Sequence, residues 1–222
     1  MKRIRVSRVA YAAWGMVALG LVACAHKIVV EIPPRIDLSG YGTIGIVQFS
    51  SPSAKATEQL DRLATERFMA AIQQAQPGVR FLELGSQRDM LTSIRRDAWD
   101  PDAVKAVGKA HGVQTVFTGR YDISNAKPKV SLGEDLSSVK AAAIVSVSLT
   151  AKHWDTGTGA TLWTATRSRN WSIADVDKEA GRPVSFSVSV PEDRYGQFVS
   201  KVINAATDDF RPHYEKRKVP KP

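Results

Sequence analysis

The sequence predicts an α/β (α+β) fold: a mixed β-sheet with one long antiparallel hairpin, packed by about four helices, behind a signal helix and a short tether. Three observations carry this. The apolar periodicity changes along the chain in the order β-α-β-α-α-β-β-β-β-α. Strands separated by helices imply parallel or mixed pairing early, and successive strands imply antiparallel pairing later. Val139, Ala141, Ala143, Val145, Val147, Leu149 and Ala151 alternate with the polar set Ser146, Ser148, Thr150 and Lys152, which is a half-buried strand, and Asp155–Gly159 (DTGTG) supplies a turn for its return. The 222 residues are 43% hydrophobic and 24% charged, an ordinary globular composition for one domain with appendages.

The first element is a targeting segment. Lys2, Arg3, Arg5 and Arg8 make residues 1–8 basic, and no acid occurs before Glu31. Residues 9–23 (VAYAAWGMVALGLVA) are uncharged. This is the n-region and h-region of a secretory signal, and it is shorter than the roughly 20 residues of a spanning helix. It ends in Leu21, Val22, Ala23 and Cys24, which resembles the bacterial lipobox. The resemblance implies that the Cys24 thiol is alkylated by diacylglycerol, that the chain is cut before it, and that the new amine is acylated. Two or three acyl chains, at ~0.8 kcal/mol per buried CH₂, anchor a protein durably where one does not. In the same family Asp after the Cys retains the protein in the inner membrane. Ala25 stands there, which implies the outer membrane, on the periplasmic side. Cys24 is the single cysteine, so no intramolecular disulfide or Cys-cluster zinc site can form.

The organisation that follows is a signal peptide over 1–23, a lipidated Cys and extended tether over 24–38, one α/β domain over 39–210, and a basic tail over 211–222. Pro33-Pro34 keeps the tether extended. The stretch from Cys24 to Thr43 reaches at most about 65 Å at ~3.4 Å per residue, so the domain stays near its membrane. The tail, RPHYEKRKVPKP, reads as frayed.

Thr43–Ser50 is a buried strand bounded by Ser51-Pro52. A helix of about 20 residues follows from near Ala54 to Gln76, with Leu60, Leu63, Ala64, Phe68, Ala71, Ile72 and Ala75 on one face, and Pro77-Gly78 stops it. Val79–Leu84 is the second strand. Ser86 N-caps a short helix to about Arg95, with Asp89 at the capping-box position. Asp100-Pro101 starts the next helix, Val104, Val107 and Ala110 form its apolar face, and Gly112 ends it. Val113–Ile123 is the third strand. Residues 124–138 are polar and aperiodic, which reads as a loop. The hairpin at Val139–Ala151 and Ala160–Trp171 comes next. Val184, Phe186, Val188 and Val190 alternate with serines as a further strand. Pro191 opens a last helix with Tyr195, Phe198, Val199, Val202, Ile203, Ala206 and Phe210 on one face.

Two stretches carry a wider resemblance. Val107–Tyr121 (VGKAHGVQTVFTGRY) is similar to a helix–Gly–strand unit, GxxLGVDxVLxGxV. Val147–Trp163 (VSLTAKHWDTGTGATLW) is similar to a hairpin, LxLxLxDxxTGxxLW, which Asp155, Thr156, Gly157, Leu162 and Trp163 match. Both resemble the anticodon-binding-like α/β domain shared by envelope proteins. These include the curli secretion channel subunit, the N-terminal domain of the Tol β-propeller protein, and lipoprotein activators of peptidoglycan synthases. The implied role of the motif is structural: Asp155 bonds turn amides, Gly157 and Gly159 accept positive φ, and Trp163 covers the adjoining strand. The relatives do different things, so the resemblance speaks to fold more than to function.

The chain carries no complete catalytic motif. Gly40, Gly42 and Gly45 fit GxGxxG, but they precede their strand and fail its context. His26, His111, His153 and His213 are widely spaced, and His153, beside the turn, reads as a surface histidine. Glu134-Asp135, Glu192-Asp193 and Asp208-Asp209 read as solvated charge, with helix-dipole help at 192–193. No catalytic residue, metal or cofactor is therefore expected. The net charge of +9 includes four cations in the signal, and secretion makes nucleic acid an implausible partner. On the return strand Arg167 and Arg169 run in phase with Trp171. That pattern fits a protein-binding edge and equally a solvated face with one packed Trp. The expectation is an outer-membrane lipoprotein that works by binding or assembly with other envelope proteins, as a homo-oligomer or with a different partner. The alternatives are a secretion-channel subunit that donates a β-hairpin and an activator of a peptidoglycan synthase.

Overall fold

A computed structural model describes residues 26–132, 139–178 and 192–219. The lipobox at Leu21–Cys24 and the strand expected at Val184–Val190 lie outside the described residues. Two compact units are present. One holds a two-stranded antiparallel ribbon of β1 (His26–Ile32) and β8 (His213–Val219). The other spans Pro34–Arg211.

The larger unit is a six-stranded mixed sheet with helices on both faces. β2 (Thr43–Ile46) lies between β3 (Arg80–Glu83) and β4 (Thr115–Ile123), parallel to both. β6 (Val139–Asp155) runs antiparallel to β4, and β7 (Thr161–Lys178) pairs along β6 as the return of the hairpin. The parallel pairs come from the helical crossovers and the antiparallel ones from direct strand succession, as the element order predicts.

The helices start and stop where side chains satisfy their free backbone groups. In α1 (Glu58–Ala75) the Thr57 side chain accepts from Leu60 N, so the helix begins at Glu58 and not near Ala54. In α2 (Gln87–Ser93) the Ser86 hydroxyl accepts from Asp89 N at 3.1 Å and donates to Asp89 Oδ2 at 2.8 Å, an N-cap whose hydroxyl is held in place by the carboxylate at the expected position. In α3 (Pro101–His111) Asp100 accepts from Ala103 N at 2.7 Å, and Gly112 ends it at φ +65°. The fourth helix, α4, spans Glu192–Ala206.

α1 and α4 cover one sheet face. Their core holds Phe49, Phe68, Phe117, Tyr121, Val145, Val147, Leu149, Trp163, Ile203 and Phe210. α2 and α3 cover part of the other, over Val47, Met90, Val104, Val107, Val116 and Trp154. β4 shows the division directly: Phe117 and Tyr121 belong to the first core and Val116 to the second.

Three expectations are corrected. Residues 124–138 were read as a loop, yet Lys127–Leu132 is a strand, β5, paired antiparallel with β6 from Lys127↔Ile144 to Leu132↔Val139. β7 fills one edge of β6, so β5 continues the line of β4 on the other. Lys127-Pro128-Lys129 carries no apolar alternation, because a strand laid on an existing edge is held by backbone pairing. The tail was read as frayed, but seven of its residues form β8, whose partner β1 stands at the far end of the chain. Finally, His153 was read as a surface residue. It is 1% exposed, because the inward phase of Leu149 and Ala151 continues to it.

Candidate functional site

The two resembling stretches meet. Thr156 is 7% exposed, and its hydroxyl sits 2.6 Å from Val113 O and 2.8 Å from Gln114 O, the carbonyls that follow the C-cap of α3. Gly108 in α3 makes room for it: a Cβ there would lie 2.3 Å from Thr156 Cβ. Gly159, at φ +76°, lets the turn pass against Pro101, whose carbonyl oxygen would be 2.6 Å from a Cβ. The helix–Gly–strand unit and the DTGTG turn are therefore one interlocked joint.

Within the turn, Thr158 donates to Asp155 Oδ1 from its amide (2.6 Å) and its hydroxyl (2.7 Å). The Thr158 hydroxyl and amide hold the Asp155 carboxyl below its usual range. Gly157 does not adopt the positive φ expected of it; among the turn glycines Gly159 does. The His153/Trp154 register shift puts an extra β7 residue opposite that step, and Leu162 is left 42% exposed there. Trp163 instead points inward at 7% exposure, packs edge-on to Phe210 with centroids 4.7 Å apart, and donates from Nε1 to Asp209 Oδ2 at 2.9 Å.

Of the Arg/Trp face on β7, Trp171 is already engaged: its ring stacks on Phe198 of α4 with centroids 4.5 Å apart. Arg167 Nε donates to Ala205 O at 3.2 Å, near the C-terminal end of α4. Arg169 is exposed. The three residues thus share a phase, but the structure divides them between packing and solvent.

Three polar groups that sequence reasoning missed are structural anchors. Gln76 Oε1 accepts from Leu38 N (2.8 Å), and its Nε2 donates to Ile36 O (2.6 Å) and Phe210 O (3.0 Å), tying both ends of the domain to α1. Asp209, read as solvated charge, accepts from Trp163 and faces Arg35 at 3.6 Å. Tyr121 donates its hydroxyl to Asp61 Oδ1 at 2.6 Å; burial raises the carboxyl above its usual range and raises the phenol as well. His153 stacks on Phe117 at 4.2 Å and meets Tyr41 edge-on at 5.5 Å, with no hydrogen-bond partner for Nε2. Burial holds its pKa down to about 4, against a small opposing pull from Asp155. It is a neutral core imidazole. An inward phase on β6 was the signal that could have placed it.

A cleft of about 530 Å³ opens between α1 and α4. Leu60, Leu63 and Tyr195 give it an apolar floor, Lys55, Arg67 and Lys201 stand on its walls, and no carboxylate lines it among the described residues. The Lys55 ammonium lies 5.6 Å above the Tyr195 ring. Gly196 lets the two helices approach, since a Cβ there would come within 2.9 Å of Leu63 Cδ2. Among the described residues no group of three or more His, Cys, Asp or Glu could hold a metal, and no helix is long and apolar enough to cross a membrane.

No family model matches the chain, and no curated protein matches it. Solved structures similar to it include the PelC dodecamer from Paraburkholderia phytofirmans, at 13% identity and a TM-score of 0.43, covering 84% of this chain and 98% of that one. Lipoprotein GNA1162 from Neisseria meningitidis matches at 16% identity and a TM-score of 0.34, covering 73% and 96%. The LpoB C-terminal domain from Escherichia coli matches at 13% identity and a TM-score of 0.35, covering 60% and 87%.

Proposed function

We propose that the protein is lipidated at Cys24, faces the periplasm from the outer membrane, and acts without catalysis by binding other envelope proteins. The observation that carries this reading is the sequence Leu21-Val22-Ala23-Cys24, which places the chain's single cysteine directly after a basic and then an apolar segment. The α1–α4 cleft supports the binding part. Its apolar floor beneath cations suits a partner segment that carries an apolar side chain between carboxylates.

The hairpin favours this reading over a membrane-inserted one. Across its described side chains, Ala143, Val145, Val147, Leu149 and Ala151 are buried in the domain core. The opposite face is polar, with Thr150 and Thr166 hydroxyls 3.1 Å apart and Ser146 and Ser168 hydroxyls 3.5 Å apart. A lipid-facing strand needs an apolar outer band, and this part of the hairpin has none.

The test is metabolic labelling with an alkyne fatty acid, followed by mass analysis of the mature N-terminal peptide. The expected result is an acylated peptide beginning at Cys24, with label abolished by Cys24→Ala. An unmodified cysteine or an uncleaved N-terminus would overturn the proposal.

A further inference from the structure

The ribbon of β1 and β8 forms a compact unit of its own. A two-stranded ribbon is at best marginally stable in water, because it has no second layer to bury against. This one keeps large apolar side chains in solvent: Val29 is 62% exposed, Tyr214 65% and Ile28 39%. Its register sorts the residues by phase. Opposed residues of an antiparallel pair share a face, and the face alternates along the strand. The pairs Lys27↔Lys218, Val29↔Lys216 and Glu31↔Tyr214 therefore share one phase, while Ile28↔Arg217 and Val30↔Glu215 share the other. On the second phase Arg217 is neutralised by Glu215 at 3.4 Å. On the first, the register positions are those of Lys27, Lys216 and Lys218 with one glutamate, Glu31, and it is on this phase that Val29 and Tyr214, the most exposed of the large apolar residues described, fall.

The position of this phase in the chain names what covers it. β1 begins two residues after Cys24, so a backbone at ~3.4 Å per residue holds the start of the ribbon within about 7 Å of the lipidated cysteine. β8 returns the basic C-terminal run to the same place. A tyrosine and an aliphatic residue flanked by lysines is the composition of a surface that sits at lipid headgroups, the ring at the interface and the ammonium groups on phosphate.

We propose that the Lys27/Val29/Tyr214/Lys216/Lys218 phase of the ribbon is a membrane-contact surface for anionic phospholipid in the leaflet that holds the Cys24 acyl chains. The inference rests on the lipidation reading for its geometry. The surface itself is a property of the ribbon and is testable without the lipid. The attraction of lysines to such a surface weakens as salt rises.

The experiment uses the full mature chain with Cys24→Ala, so that no acyl chain contributes, and co-sedimentation with vesicles of phosphatidylglycerol and phosphatidylcholine or of phosphatidylcholine alone. The expected result is binding to the anionic vesicles only, weakened at least tenfold by Lys216→Glu with Lys218→Glu and several-fold by Tyr214→Ser. Lys216→Arg with Lys218→Arg retains it, which separates lost charge from a lost ribbon. Equal binding to both vesicles, no binding to either, or undiminished binding by the glutamate variant would overturn the proposal. Fatty-acid labelling of Cys24 in the wild-type protein is read separately. Labelling without vesicle binding removes this proposal and leaves the lipidation reading intact, whereas vesicle binding without labelling does the reverse.

Discussion

His153 makes the stability of the domain depend on pH in a calculable way. Its ring is 1% exposed, stacked on Phe117, with Nε2 unpartnered. Protonation in the folded state would place a charge in an aromatic core, and burial holds the pKa down to about 4 from an ordinary 6.5. In the unfolded chain the same imidazole takes up its proton near 6.5. Between these values the unfolded state binds the proton and the folded state does not, so stability falls as pH falls. The loss begins near pH 6.5, ends near pH 4, and amounts to about 3 kcal/mol at 1.36 kcal/mol per pKa unit. Other groups titrate in this range. Asp61, held high, gains stability on acidification, while Asp37 and Asp155, held low, lose it only at the acid end of the titration, below their ordinary value of 3.8. The difference between wild type and His153→Phe cancels them. The assay is urea unfolding from pH 7.5 to 3.5, followed by tryptophan fluorescence, for wild type, His153→Phe and His153→Gln. The wild-type curve should drop relative to both variants by about 3 kcal/mol across the window and run parallel outside it. Parallel curves throughout, or an imidazole that titrates near 6.5 by NMR in the folded protein, would refute the burial argument.

Three further predictions concern the joint, the ends of the domain and the cleft. Gly108→Ala should destabilise by about 2 kcal/mol although alanine is the better helix former, because its Cβ meets Thr156 Cβ at 2.3 Å; thermal unfolding of this variant against wild type measures it, and an unchanged midpoint would contradict the close fit. Gln76→Leu leaves Leu38 N, Ile36 O and Phe210 O without their partner and should cost about 2–3 kcal/mol in urea unfolding. Arg67→Glu with Lys201→Glu, both at exposed positions on the cleft, should leave the unfolding midpoint within about 0.5 kcal/mol of wild type while reducing co-purification of a partner at least tenfold.

What the sequence revealed and what it hid divide by range. Short-range chemistry was legible. Ser86 with Asp89, Asp100 with Pro101 and Gly112, and the Asp155–Gly159 turn each satisfy backbone groups within a few residues, so their patterns survive in any tertiary setting. Period two located the β6–β7 hairpin, because one face had to be apolar to meet α4. Long-range pairing was not legible. β5 and β8 carry mixed polar residues and exist through the strand edges they join. Gln76 and Asp209 are polar residues at helix ends whose partners are distant in sequence, which looks identical to solvation. His153 was misread because the turn next to it outweighed its phase. The Arg167/Arg169/Trp171 set shows the limit of phase itself: it aligned the three residues, but it could not tell that Phe198 takes up the Trp171 ring and that Ala205 holds Arg167.

The central claim, a lipid-anchored protein that works by assembly, is tested most directly by the native mass of the wild-type protein after mild detergent extraction from outer membranes. The account predicts a detergent-soluble complex well above the mass of a single mature chain, made of further copies or of a different envelope protein. A lone chain in every extract, or a protein recovered in soluble form without detergent, would contradict it.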